Sequence, residues 1–211
     1  MDLLIYLETK SSRADYIFRH IFHHILGLEI QFSFDKDAFN DYKGPKINYS
    51  KKAFSDELFF YSSDLLFEKN IERKYIDMSN YQGVDVFFLC SKGVLPFDPF
   101  AASFYMLSRY EEYLSSKKDY LGRFYVEDSL AFKHKFITNP VVDHWIIFIQ
   151  NILINHFPNM VFLNRSFSFI NTIDIDNAYA YLNKGFIRTV GKLVKDLITL
   201  NFQNNFRRIK V

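Results

Sequence analysis

A chain of 211 residues, 49% hydrophobic and 24% charged, has the size and balance of a soluble globular protein of one or two domains. Its net charge of +2, from 26 basic and 24 acidic side chains, excludes a protein-wide nucleic-acid-binding surface. A single cysteine, Cys90, excludes an intrachain disulfide framework and fits a reducing compartment.

The opening Met1-Asp2-Leu3-Leu4 lacks the basic start and long apolar stretch of a signal peptide. No uncharged apolar run approaches about 18 residues, so no transmembrane segment is expected and the chain reads as cytoplasmic. Aromatic residues reach 19%. With Phe, Tyr, Asn, Lys and Ile all plentiful, this reads as AT-rich coding rather than as a binding surface.

In chain order, Leu3–Leu7 predicts a buried strand. Ser11 or Ser12 caps a helix over Arg13–Leu26, which Gly27 stops. Its apolar residues Ile17, Ile21 and Ile25, with Phe18 and Phe22, recur at spacings of four, as one buried face requires. Leu28–Phe34 alternates and predicts a strand with one wet face. Residues 35–80 are polar and turn-rich, with short strands near Ile47–Tyr49 and Leu58–Tyr61, and Val84–Leu89 predicts another buried strand. Cys90 follows this apolar run and reads as a buried, inert thiol.

Asp98 caps a helix with Pro99 at its first position, expected to reach Leu114. Within it Arg109 and Glu112 stand three residues apart, the spacing of a structural ion pair. Gly122-Arg123-Phe124 reads as a turn, with Arg123 either contacting an anionic group or pairing with Asp143 or Glu127. Thr138 or Asn139 caps the next helix, which begins at Pro140 and runs to about His156, placing Asp143 in its first turn. Phe167–Asp174 predicts a strand and Thr189–Leu200 a last amphipathic helix.

The chemistry-bearing feature is the pair Asp174 and Asp176. Two acids separated by one residue at a strand end point to the same side of the backbone. Their mutual repulsion calls for a cation or a shared proton, so the pair suits a hard divalent metal, or one acid on a metal and one as base. The spacing alone fits three enzyme classes. Dehalogenase-type phosphotransferases place it near the chain start before Gly-Thr, whereas Asn177-Ala178 follows here. GT-A-like glycosyltransferases use it for a metal and nucleotide-sugar phosphates. Carbohydrate deacetylases carry it at the first strand of their barrel.

Several segments, in order, favour the third class. Asp98-Pro99-Phe100-Ala101-Ala102-Ser103-Phe104-Tyr105-Met106-Leu107-Ser108-Arg109-Tyr110-Glu111-Glu112-Tyr113 resembles a stretch of bacteroidete polysaccharide deacetylase (NodB-homology) family proteins. So do Gly122-Arg123-Phe124, Pro140-Val141-Val142-Asp143-His144-Trp145, Thr172-Ile173-Asp174-Ile175-Asp176-Asn177-Ala178-Tyr179 and Lys184-Gly185-Phe186-Ile187-Arg188. The resemblance implies an N-terminal α/β domain of unclear role over 1–160, then the start of a deacetylase domain over 161–211. The implied fold is α/β, with an N-terminal mixed sheet flanked by helices and then the first β/α unit of a deacetylase-type (β/α) barrel.

By the same resemblance Asp174 is the catalytic general base and Asp176 a ligand of the metal, Zn²⁺ or a similar divalent cation. The hydrolase would remove N- or O-acetyl groups from an acetylated polysaccharide or oligosaccharide. The family also uses a His-x-x-x-His metal motif downstream of the acids, whereas no histidine follows His156 in this sequence. His20 and His24 have that spacing but precede the acids, and read as a solvent-facing cluster on the first helix. The expectation is therefore an incomplete metal site in this chain. The alternative is a non-catalytic domain binding a saccharide or a protein, and the third reading is the GT-A-like transferase.

Residues 181–211 carry seven cations against Asp196, a net +6. In a barrel the apolar side of this terminal helix packs on later strands. Left uncovered, it is an apolar and basic stripe.

Overall fold

In the computed structural model, residues 2–115, 117–164, 166–174, 190, 191 and 195 are described. The chain divides into two compact units, Met1–Asn164 and Arg165–Val211.

β1 (Leu3–Leu7) is apolar at every position except Tyr6, the pattern of a strand covered on both faces. It lies inside a four-stranded sheet of order β2-β1-β3-β4, with β2 at Ile30–Ser33, β3 at Lys46–Ser50 and β4 at Leu58–Tyr61. All three pairings are parallel, with Ile5 opposite Phe32 and Ile47, and Tyr49 opposite Phe60. The expected sheet flanked by helices is thus present, but it is parallel throughout rather than mixed. Among the described residues, antiparallel pairing lies outside this sheet, in a hairpin of β5 (Ser79–Tyr81) with β6 (Val84–Val86) and an isolated bridge between Leu89 and Phe97.

Side chains alternate across a strand, so Ile5, Ile47, Tyr49 and Phe60 share one face. On it lie α1 (Ser12–Phe18), continued by a π-helical segment over Arg19–Ile25, and α3 (Pro99–Leu107). Ser11 caps α1, its hydroxyl accepting from Ala14 N at 3.3 Å. Phe18 of α1 touches Phe32, Tyr49 and Phe100, and Phe100 of α3 also meets Phe22 and Phe60. Removing a ring such as Phe18 from water stabilises by about 2–3 kcal/mol, and here six rings, Phe18, Phe22, Phe32, Tyr49, Phe60 and Phe100, form one cluster. The opposite face holds Tyr6, packed on Phe39 and Phe54. Phe39 belongs to α2 (Lys36–Asp41), a short helix absent from the sequence expectation and capped by Asp35.

α5 (Val141–His156) packs on α3, and its Trp145 and Ile149 are fully buried. The Trp145 indole meets Phe87 and Phe97 and donates to Asp85 O at 3.0 Å. The helix begins one residue later than predicted, at Val141, and no side chain caps it.

Three expectations are corrected. The helix expected through Leu114 ends at Leu107, because Arg109 takes a left-handed φ of 55° and a 3₁₀ turn, Tyr110–Tyr113, follows. The strand over Val84–Leu89 stops at Val86, since Phe88 has φ 58° and turns the chain. Residues 166–174 are irregular and exposed, so the strand Phe167–Asp174 is not formed among the described residues. A strand there needs a partner for its N–H and C=O groups, and no described residue supplies one. Of the last helix, only Val190, Gly191 and Lys195 lie within the described residues, and all three are helical. No helix among the described residues is long and apolar enough to cross a membrane.

Candidate functional site

Asp174 is exposed in an irregular segment, and Asp176 lies outside the described residues. Among the described residues no group of three or more His, Cys, Asp or Glu side chains could hold a metal. Of the expected acid pair the described residues include Asp174 alone, short of the four ligands that Zn²⁺ takes in proteins. These described residues do not by themselves fit the cation.

The histidines sit on the π-helical segment. His20 is half-buried and stacked on Tyr16 at 6.1 Å; burial, then the nearby His24, lower its pKa. His23 Nδ1 is 3.5 Å from Glu29 Oε1, and both His23 and His24 are exposed. This is a surface cluster with two acidic neighbours, Glu29 beside His23 and Asp143 near His20.

Other polar expectations resolve as local structure. Arg109 pairs with Glu112 through Nε, at 2.6 Å, and through Nη2. Arg123 pairs with Asp119 at 2.8 Å rather than with Asp143 or Glu127. The cause is the turn: Gly122 has φ 77°, and Asp119 also accepts from the Leu121 and Arg123 backbone N–H groups. Cys90 is half-buried, its thiol donating to Lys92 O and Leu95 O, and burial raises its pKa. A raised thiol pKa fits the inert reading.

The sequence reading made Asp98 a helix cap and missed its second role. Its carboxylate is fully buried. Oδ1 accepts from Phe100 N at 3.1 Å and Ala101 N at 3.0 Å, while Oδ2 accepts from Tyr49 Oη at 2.7 Å, Ser63 N at 2.7 Å and Ser63 Oγ at 2.8 Å. Burial pushes its pKa above the ordinary carboxylate range, while the donors pull it back. One buried group thus fastens α3 to the ends of β3 and β4. Having no access to solvent, it is a structural fastener and not a reacting acid.

In open parallel sheets ligands tend to bind outside the carboxyl ends of the strands, where strand order reverses. Here that place lies between β1 and β3. It is occupied by the protein's own groups: Lys51 N donates to Glu8 Oε1 at 3.3 Å, and Lys51 Nζ reaches Asp64 Oδ1 at 2.6 Å. An adjoining cleft of about 460 Å³ beside Leu7, Ser11, Phe32 and Phe34 is mostly apolar, with Lys10 over the Phe34 ring.

A second cleft, of about 360 Å³, is polar and lined by residues including Arg73, Tyr105, Glu111, Lys117, Phe124 and Lys133. α3 supplies Tyr105, the following 3₁₀ turn Glu111, and α4 (Leu130–Lys133) Lys133. Glu111 Oε2 accepts from Leu130 N at 2.9 Å. Burial raises the Glu111 pKa, offset by that bond and by Lys133. Lys74, also on the wall, is taken up by Glu68 at 2.6 Å. The walls come from segments some tens of residues apart, which is why spacing along the chain did not reveal them. The basic pair Arg73-Lys74 and the acids after Arg109 were the available signals.

Residues 3–158 match a family model described as a family of unknown function, DUF7033. No curated protein and no solved structure matches significantly. The match takes in the whole sheet, both clefts, Asp98 and nearly all of the first compact unit. By that match the chain belongs to DUF7033.

Proposed function

We propose that this chain belongs to a metal-dependent carbohydrate deacetylase that hydrolyses N- or O-acetyl groups in the context of a longer polypeptide. In this reading the DUF7033 domain precedes the catalytic unit, to which residues 161–211 contribute the acid pair. Asp174 acts as general base toward the attacking water and Asp176 as a ligand of a divalent cation, Zn²⁺ or similar. The observation that carries the reading is the order of the resembling segments from Asp98 to Arg188, which surrounds the acid pair. The solvent exposure of Asp174 is compatible with such a role. The imidazole ligands of the family motif have no counterpart after His156, so the reading assigns these residues only the acid half of a site.

A second reading is a non-catalytic binding domain, and the polar cleft at Arg73 and Tyr105 favours it. Titrations of the 211-residue chain separate the possibilities. The deacetylase reading expects Zn²⁺ binding that Asp176→Asn abolishes. It also expects no acetate release from acetylated chito-oligosaccharides with Zn²⁺ or Co²⁺ added. Turnover that disappears in Asp174→Asn would show that the acids suffice without those histidines. Tight binding of a UDP-sugar with Mn²⁺ would establish the GT-A-like transferase instead, and the absence of all three responses the binding domain.

A further inference from the structure

The polar cleft has the attributes of a ligand site that its own residues do not fill. Tyr105 is 6% exposed. Its ring packs on Phe87, Phe88 and Tyr110, yet its hydroxyl, on the cleft wall, has no hydrogen-bond partner among the described residues. The oxygen is not sealed from the cleft, so it is free to bond water or a molecule held there. Burial, then the neighbouring Glu111, raise the Tyr105 pKa, so at neutral pH the group is a hydroxyl that can donate.

Two cations converge on the same space without partners. The Arg73 guanidinium and the Lys117 ammonium make no hydrogen bond or ion pair with any described residue. Arg109 and Arg123, close in sequence, are by contrast both paired with acids. An unpaired guanidinium beside a half-buried cleft suits a carboxylate or a phosphate, which it can grip with two parallel N–H bonds.

Asp128 adds a second carboxylate to the wall, and Glu111 and Phe124 suit a polyhydroxylated ring rather than a bare anion. Glu111 is half-buried and fixed in place by Leu130 N, leaving an acceptor directed at hydroxyl groups. Phe124 supplies an apolar face of the kind on which the C–H side of a sugar ring lies. A cleft of about 360 Å³ falls within the roughly 300–1,000 Å³ of small-molecule sites.

We infer that this cleft binds a sugar carrying one anionic group, with Arg73 and Lys117 on the anion, Tyr105 and Glu111 on ring hydroxyls, and Phe124 against the ring. The site is a binding site; no bond is made or broken in it. It stands on residues 73–133 and holds whether or not Asp174 and Asp176 form a metal site.

The test is calorimetric or NMR titration of the 211-residue chain with glucuronate, glucose 6-phosphate, glucose and inorganic phosphate in parallel. Saturable binding of glucuronate or glucose 6-phosphate is expected, with Kd of about 1 mM or below and at least about tenfold tighter than for glucose or phosphate. Which of the two binds better identifies the anion as carboxylate or phosphate. Arg73→Ala, at an exposed position, is expected to weaken binding by about tenfold. Tyr105→Phe keeps the ring and its packing, and is expected to weaken binding by about fivefold with an unchanged melting temperature. Inorganic phosphate binding as tightly as the phosphosugar would mean an adventitious ion only and would overturn the assignment. So would binding indifferent to both variants, or no binding of either sugar acid.

Discussion

The Tyr49 hydroxyl donates to the Asp98 carboxylate across 2.7 Å, with both side chains buried, and so ties the parallel sheet to the N-terminus of α3. Ser63 adds two further donors to the same Asp98 oxygen, and the first turn of α3 two to the other. Asp98→Ala strips a helix cap and orphans buried donors at once, an expected loss of about 3 kcal/mol or more. Tyr49→Phe removes one bond and is expected to cost about 1 kcal/mol. The double variant should lose less than the sum, because both changes break the same bond. Trp145, the single tryptophan, is buried in this domain and reports unfolding by fluorescence in urea.

Gly93 and Gly122 both hold positive φ, 91° and 77°, but their surroundings differ. At Gly122 an added Cβ meets nothing within 4 Å, whereas at Gly93 it would lie 2.8 Å from the Tyr61 backbone nitrogen. The crowding follows from Val94 N donating to Phe59 O, which draws this loop onto β4. Gly122→Ala should cost about 1 kcal/mol from the left-handed conformation alone. Gly93→Ala should cost distinctly more, as measured by the shift in urea midpoint at constant m-value.

Acid sensitivity is expected at Glu57. Burial alone would raise its pKa, but Asn48 Nδ2 at 2.7 Å, Phe54 N at 2.6 Å and Ser55 N at 2.7 Å outweigh it, and the net direction is down from 4.5. A carboxyl whose folded pKa is depressed binds fewer protons folded than unfolded. Its stabilisation is therefore present above 4.5 and lost as pH falls through the lower folded value. Glu57→Gln should narrow the difference in melting temperature between neutral pH and about pH 3.5 relative to the unmodified chain. An equal difference in both proteins would remove Glu57 from the acid response.

Much of the domain was legible in the sequence because its strands and helices have clean periods. Leu3–Leu7, the four-residue spacing of Ile17 and Ile21, and Asp98 before Pro99 each specify their element locally. What was hidden depends on tertiary contact or backbone sign. Nothing in the neighbourhood of Arg109 announces a left-handed residue, so the helix was carried too far. α2 is only six residues long and mostly polar, with Asp35 as its one cue. Arg123 answers to a turn geometry that brings it onto Asp119, a partner four residues back. Tyr105 carries no distinguishing signal in the sequence. Its unpartnered hydroxyl becomes visible only where Arg73 and Phe124, distant in sequence, close the cleft around it.

The central claim, that Asp174 and Asp176 supply the acid half of a divalent-metal site, is tested most directly by Zn²⁺ calorimetry on four proteins. These are the unmodified chain, Asp176→Asn, Asp174→Asn and, as a control in the polar cleft, Glu111→Gln. The account predicts measurable Zn²⁺ binding that Asp176→Asn abolishes, Asp174→Asn weakens and Glu111→Gln leaves unchanged. Zn²⁺ binding equally well to Asp176→Asn and to the unmodified chain, or to neither, would contradict it.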